Sequence, residues 1–169
     1  VSITVLLVSL GVVTLSVLYS VPPFRFKSRP PLDSIVNGLG ILALFVLGLA
    51  LGSESFSVPA EAYWMAVFAS GTHVLASLPD IEYDRKAGLR TTGMVLGWRK
   101  SITLNIALVA VSFYFVNWGL ISLVALSIFM VNLFYLFIYP DSEHFYRGIK
   151  IMLPVAVLYG LTWILVSVI

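Results

Sequence analysis

The sequence contains no cysteine and little charge. Without cysteine, the chain can form neither a disulfide framework nor a thiolate metal site. Charged residues make up 11% of the 169 positions and hydrophobic residues 60%, more than an ordinary water-soluble domain needs to bury its core. The chain starts at Val1, inside an apolar run, without an initiator methionine or a basic leader. We therefore expect a membrane protein whose N-terminal part is incomplete.

Six apolar segments are separated by polar residues, and each approaches the roughly 20 residues that a helix needs to cross about 30 Å of hydrocarbon. The segments are Val1–Leu18, Ser34–Leu51, Ala62–Leu78, Ser101–Val116, Trp118–Tyr139 and Ile149–Ile169. Because backbone amides in lipid must bond within their own segment, long uncharged runs without alternation favour helices over barrel strands. The predicted fold class is all-α: a polytopic bundle of six transmembrane helices that forms one domain, 1–169.

The basic residues are segregated. All ten Lys and Arg residues follow the first, third or fifth segment, whereas the intervening loops carry only Glu54 and Glu61. By the positive-inside rule, the basic loops are predicted to lie on the cytoplasmic side of a multi-pass protein of the cell membrane. A net charge of +2 distributed in this way is typical of contact with a lipid bilayer and implies no nucleic-acid partner.

The loop after the third segment carries three carboxylates, Asp80, Glu82 and Asp84. If the third helix continues to this point, Asp80 and Asp84 share a face with His73 and Ser77. Two anions at a helix C-terminus repel each other and oppose the helix dipole, so a cation is expected to compensate them. Magnesium suits the site because it takes one or two carboxylates together with phosphate oxygens. The alternative is a solvated loop in which the carboxylates pair with the neighbouring cations Arg85, Lys86 and Arg90.

The loop after the first segment contains four prolines within ten residues, which stiffen it into a strap. Its cations alternate, so an extended strap would place Arg25, Lys27 and Arg29 on one side, where they could bind phosphate oxygens. The alternative is an anchor to anionic lipid headgroups, with Phe24 and Phe26 at the interface.

These two loops resemble those of the UbiA superfamily, intramembrane enzymes that transfer a prenyl group from an isoprenoid diphosphate. The run from Tyr19 to Lys27, Tyr-Ser-Val-Pro-Pro-Phe-Arg-Phe-Lys, is similar to the tyrosine-to-lysine motif after the fourth helix of that family. Asp80 and Asp84, continuing to Gly88, Thr92 and Gly97, resemble its second aspartate-rich motif. The resemblance implies that the six segments are helices four to nine of a nine-helix fold. It also implies that three helices and a first aspartate-rich motif are missing, so the chain alone should be inactive.

The resemblance also implies roles for individual residues. Asp80 and Asp84 would hold Mg²⁺ against an isoprenyl diphosphate, while Lys27 and Arg25, with Arg85 or Lys86, would bind the phosphate oxygens. Tyr19 and Lys27 would belong with the two aspartates to the catalytic group. These charges would stabilise the leaving diphosphate, and a hydrophobic acceptor would capture the prenyl cation in a water-poor cavity.

The acceptor suggested by the sequence is a carotenoid. The strap and the run Leu-Pro-Asp-Ile-Glu-Tyr-Asp-Arg-Lys-Ala-Gly, 78–88, look most like the lycopene elongase branch of the family. No segment contains an internal Lys or Arg to pair with an acidic acceptor. Aromatic, quinone, chlorin or lipid acceptors are the alternative within the family. Outside it, the alternatives are a purely structural membrane subunit or an ion-coupled transporter that uses Asp80, Asp84 and His73.

Overall fold

A computed structural model describes residues 3–52, 56–115 and 120–168, with side chains except at 155, 156 and 158–168. Within these ranges the chain forms α-helices, one short 3₁₀ helix (Phe26–Ser28) and no strand. The helices are α1 (Ile3–Ser20), α2 (Leu32–Gly52), α3 (Ala60–Ala76), α4 (Ile81–Lys86), α5 (Thr92–Phe115), α6 (Leu120–Ile138) and α7 (Ser142–Val168).

Four helices, α1, α2, α5 and α6, are long and apolar enough to cross a membrane. Large apolar side chains are exposed along their length, for example Leu7, Leu44, Val111 and Val131. Water would disfavour such surfaces, whereas lipid solvates them. The predicted polytopic all-α membrane fold is therefore confirmed. The two other predicted segments form α3, of 17 residues, and α7, of 27 residues. Their numbering as part of a nine-helix fold stays a prediction.

The first of two compact units comprises residues 1–97. In it, α2 packs against both α1 and α3. The contact between α2 and α3 is close at Gly38, where an added Cβ would lie 2.3 Å from the carbonyl oxygen of Ala66. The start of α5 contacts the end of α3 in a similar way, because a Cβ on Gly93 would lie 2.2 Å from the Oγ of Ser77. Glycines therefore bring three helices together at one end of the unit.

The second unit comprises residues 98–169, in which α6 packs against α7. Gly148 allows this approach, since its Cβ would lie 2.6 Å from the side-chain nitrogen of Asn132. The guanidinium of Arg99 lies 5.6 Å from the centre of the Phe137 ring, a cation–π contact. Between the two units, Gly97 interrupts α5 with φ 70° and ψ 177°, a conformation that favours glycine.

Two helices differ at their boundaries from the predicted segments. A short helical stretch begins at Thr92, where Thr91 caps the first turn, and after the interruption at Gly97 the helix that contains Arg99, Lys100 and the segment predicted from Ser101 continues to Phe115. The third helix ends at Ala76, so the condition for a face shared with the acidic loop is not met. Other residues that bounded or separated the predicted segments lie outside the described ranges: Val1, Glu54, Val116, Trp118 and Ile169.

Candidate active site

The strap between α1 and α2 folds back on itself instead of extending. Arg25 adopts the left-handed conformation, and its carbonyl oxygen accepts hydrogen bonds at 3.0 Å from both the backbone N–H and the hydroxyl of Ser28. The guanidinium of Arg29 donates to the carbonyl oxygen of Pro23 at 2.6 Å. The expectation of an extended strap with Arg25, Lys27 and Arg29 on one side was therefore wrong. These hydrogen bonds close a compact turn, which places Lys27 within the 3₁₀ helix.

The carboxylates of the acidic loop lie on a short helix of their own. Pro79 follows the end of α3, and Asp80 precedes α4 as its N-cap residue. The backbone N–H of Asp84 donates to the carbonyl oxygen of Asp80 at 2.8 Å, so the two residues lie one helical turn apart. Their predicted adjacency is retained, but the predicted face shared with His73 and Ser77 is lost because α3 has ended before them.

The end of α4 is fixed by a Schellman motif. The N–H of Leu89 donates to the carbonyl oxygen of Asp84 at 2.9 Å, and the N–H of Gly88 donates to that of Arg85 at 3.2 Å. Gly88 has φ 68°, which this motif requires and which side chains with a Cβ disfavour. The acidic loop is therefore an ordered helix with a defined end.

Burial and nearby charges both act on the carboxylate of Asp84. Its pKa is raised from the ordinary value, first by burial and then by the carboxylates of Asp80 and Asp33, while the ammonium group of Lys27 acts in the opposite direction. Among the described residues, neither Asp80 nor Asp84 forms an ion pair with a cationic side chain. The alternative pairing with Arg85, Lys86 and Arg90 is therefore not formed within the described residues, and two carboxylates one helical turn apart offer oxygen ligands to a cation.

Asp33, which was not predicted to belong to the site, acts electrostatically on this charged region. It is fully buried in the first turn of α2, and one carboxylate oxygen accepts the backbone N–H of Thr92 at 2.7 Å. The other oxygen accepts a short hydrogen bond from the Thr92 hydroxyl. Its charge also acts on Asp84, on Tyr19 and on His73. The sequence does contain a signal for Asp33: its carboxylate follows two prolines and begins an otherwise uncharged apolar segment.

Tyr19 joins the charged region to an apolar groove. The half-buried Tyr19 lies in the last turn of α1, and the charges of Asp33 and Asp84 act on its hydroxyl. A cavity of about 410 Å³ extends from this residue between α1 and α2. Its lining contains Ser16, Asn37 and Gly40, and the deeper residues towards Leu44 are mostly apolar. A second cavity of about 300 Å³ between the same helices has an entirely apolar lining apart from one glycine.

The structure thus brings together four predicted site residues and leaves three without a described contact to them. The charges of Lys27 and Asp80 both act on Asp84, and Asp84 acts in turn on Tyr19. The other predicted phosphate-binding residues are Arg25, in the strap, and Arg85 and Lys86, which are exposed at the end of α4.

The loop before α7 forms a helix cap. The Asp141 carboxylate accepts the backbone N–H of His144 at 3.0 Å and contacts its Nδ1 at 2.8 Å. These hydrogen bonds hold the pKa of Asp141 below its ordinary value. The imidazole stacks on Tyr139, with 4.8 Å between ring centres. In the described part of the chain, no three His, Cys, Asp or Glu side chains are grouped as metal ligands, either here or at Asp80 and Asp84.

Comparison with known proteins gives the family. The model of the UbiA prenyltransferase family matches residues 1–144, which include both the strap and the acidic loop. The chain belongs to this family. The resemblance seen in the two UbiA motifs is therefore confirmed, and membership favours a transferase over the transporter and structural-subunit alternatives.

Several curated relatives of this UbiA chain are named lycopene elongase/hydratase. The relative from Haloarcula japonica is 51% identical over 84 residues, which cover 49% of this chain and 28% of the relative. The relative from Haloferax volcanii is 42% identical over 88 residues, or 52% and 29% of the two chains. The relative from Corynebacterium glutamicum is 31% identical over 104 residues, or 56% and 35%. The matches thus span about a third of the relatives' length, and no solved structure matches the chain.

Proposed function

We propose that the chain supplies the diphosphate-binding end and part of the acceptor cavity of an intramembrane prenyltransferase. The reaction transfers a prenyl group from an allylic isoprenoid diphosphate to a hydrophobic acceptor. The observation that carries the proposal is the convergence of the strap and the acidic loop: Lys27 acts on Asp84, which lies one turn from Asp80, and neither carboxylate is in an ion pair within the described residues. Family membership supports the same reaction class.

Mg²⁺ fits the donor set of this site. Asp80 and Asp84 offer hard oxygen ligands on adjacent turns. The pKa of Asp84 is raised by burial and then by the charges of Asp80 and Asp33, and a bound cation would favour its ionised form. Two carboxylates are too few for a complete protein cage, and this suits magnesium, which shares its coordination with water and substrate phosphate. Bound there, Mg²⁺ would neutralise charge on the diphosphate as the allylic carbon–oxygen bond breaks.

Other residues of the chain bind the diphosphate and position the allylic group. Lys27 and Arg25 of the strap, with Arg85 and Lys86 of α4, bind the diphosphate oxygens and stabilise the leaving group, which departs with the electron pair of the broken bond. The prenyl cation then forms a carbon–carbon bond with an alkene of the acceptor, and the new cation loses a proton or takes up water. Tyr19, located where the charged region meets the cavity, positions the allylic group between the two.

We propose a carotenoid such as lycopene as the acceptor. The names of the relatives support this choice, although the matches span only about a third of those proteins. The cavities between α1 and α2 support it physically, because their linings contain no charged side chain that would bind an acidic acceptor. A polyene needs apolar contact alone.

The basic loops are proposed to face the cytoplasm, so that the water-soluble diphosphate leaves on the side where the strap and the acidic loop lie. The membrane-spanning helices would keep the acceptor in the bilayer. This division matches the polar and apolar ends of the cavity that begins at Tyr19.

Pigment analysis tests the acceptor. The complete protein, expressed in a lycopene-producing host, should yield carotenoids lengthened by five-carbon prenyl units, and the Asp84→Asn variant should not. If lycopene remains unmodified while the same membranes prenylate an aromatic acid, the carotenoid assignment is wrong and the transferase assignment stands. Quinone, chlorin or lipid products would have the same consequence.

A further inference from the structure

We propose that Asp33 is a positioning residue: its buried carboxylate, acting through Thr92, fixes the acidic loop against the strap. The inference rests on the proposed function, because it gives the charged pair a task in diphosphate binding. Each carboxylate oxygen of Asp33 accepts a hydrogen bond from Thr92, so the proposed role is to hold Thr92 rather than to bind the metal. It touches neither substrate nor metal and works through the residues that do.

Asp33 and Thr92 each lie after one of the two functional loops in the chain. Asp33 follows the strap that carries Lys27, and Thr92 follows the loop that carries Asp80 and Asp84. The pair lies 59 positions apart in sequence, yet it is joined by two hydrogen bonds. A link between the end of one functional loop and the end of the other restricts the distance between their charged groups.

The buried carboxylate of Asp33 lies at the N-termini of two helices. Asp33 lies in the first turn of α2, and it accepts the N–H of the first residue of α5. Both helix N-termini present unsatisfied N–H groups and partial positive charge, which stabilise an anion. Thr91 caps α5 locally, through a hydrogen bond of 3.4 Å from the N–H of Met94, so Asp33 adds a second cap from a distant element.

The acidic loop is held at both ends. At its start, Leu78 is buried, and at its end Gly93 lies against Ser77 of the preceding helix. The hydrogen bonds of Thr92 to Asp33 add a fixed orientation to this close contact. A hydrogen bond with a charged partner in a buried site is stronger than a neutral one, so its loss should loosen the loop that it holds.

The test measures loop order and substrate binding separately. Asp33→Asn keeps the side-chain shape but removes the charge, while Thr92→Val removes the hydroxyl and keeps the backbone N–H. Thr92→Ser keeps the hydroxyl and should restore wild-type behaviour. Thr103→Val is the matched control, because Thr103 lies in the same helix and its hydroxyl makes only a local bond to Arg99.

In the complete detergent-solubilised protein, Asp33→Asn and Thr92→Val should speed trypsin cleavage after Arg85, Lys86 or Arg90 at least several-fold. They should also raise KM for the prenyl diphosphate by about tenfold, as expected for loss of a charge-assisted hydrogen bond, and leave KM for the acceptor unchanged. The melting temperature checks folding. If Thr92→Val does not fold, the smaller change Asp33→Asn provides the same comparison.

Wild-type cleavage rates and an unchanged diphosphate KM in Asp33→Asn would overturn the proposal. A fall in kcat with no change in either quantity would also overturn it. If the loop is loosened but wild-type protein transfers no prenyl group from any diphosphate, the positioning role stands and the proposed function fails.

Discussion

Gly38 of α2 lies so close to α3 that an added Cβ would be 2.3 Å from the carbonyl oxygen of Ala66 and 2.1 Å from the Oγ of Ser70. A side chain can move away from such a clash, but a backbone carbonyl in a helix cannot. The contact therefore sets the separation of α2 and α3, and with it the separation of the strap before α2 from the acidic loop after α3. The size of this one residue connects packing with the geometry of the site.

Gly38→Ala should lower the stability of the complete protein by about 1–3 kcal/mol, the usual cost of overpacking a filled contact. Gly48→Ala is the matched control in the same helix, because no atom lies within 4 Å of its added Cβ. By intrinsic helix propensity it should be neutral or stabilising by up to about 1 kcal/mol. Thermal unfolding in detergent measures both. Equal melting temperatures for the two variants would contradict the close contact.

Lys27→Gln should raise KM for the prenyl diphosphate by roughly tenfold or more, because the site loses a charge-assisted hydrogen bond to phosphate. The pKa of Asp84 should rise further, since Lys27 is the group that lowers it. Steady-state kinetics on the complete protein provide the measurement. Lys150→Gln, an exposed lysine in α7, serves as the control. An equal effect of the two substitutions would show that Lys27 contributes only to overall charge.

The sequence was sufficient to predict the helices and the main charged groups. Long apolar runs can form only helices in lipid, and the cations between them separate the segments. Proline disfavours the interior of a helix, and α3 ends before Pro79. The adjacency of Asp80 and Asp84 follows from a spacing of four residues, which holds in any helix that contains both.

The hydrogen bonds that shape the site could not be predicted in the same way. Asp33 and Thr92 meet only in the folded unit, and no local pattern indicates a partner 59 positions away. The left-handed conformation of Arg25 is rare for residues other than glycine, so alternation of cations suggested an extended strap instead. The start of α5 was misplaced because the cations Arg99 and Lys100 resembled a loop.

The topology of the protein can be tested by cysteine labelling, since these 169 residues contain no cysteine. Exposed positions are preferable, so Ala87 and Glu143 suit the basic loops and Ser57 the opposite side. Two other positions in these loops are less suitable for labelling. Thr91 lies in a basic loop, but it is buried and caps α5. Ser55 lies outside the described residues. Cysteines at 87 and 143 should react only with cytoplasmic reagent and cysteine at 57 only from outside. Labelling of 87 and 143 from opposite sides would refute the predicted orientation.

The central claim is that Asp80 and Asp84 bind a metal-diphosphate, and the most direct measurement is prenyl transfer by the complete protein as a function of Mg²⁺ concentration. Chelation should abolish transfer. Asp80→Asn and Asp84→Asn should each lower turnover by about 10²-fold or more, as expected when a preorganised electrostatic contact to the reacting group is lost. Glu82 lies in the same helix, but it is exposed and is not among the charges that act on Asp84. The turnover of Glu82→Gln should therefore remain near that of the wild type. Unchanged Mg²⁺-dependent turnover in both aspartate variants would contradict the account.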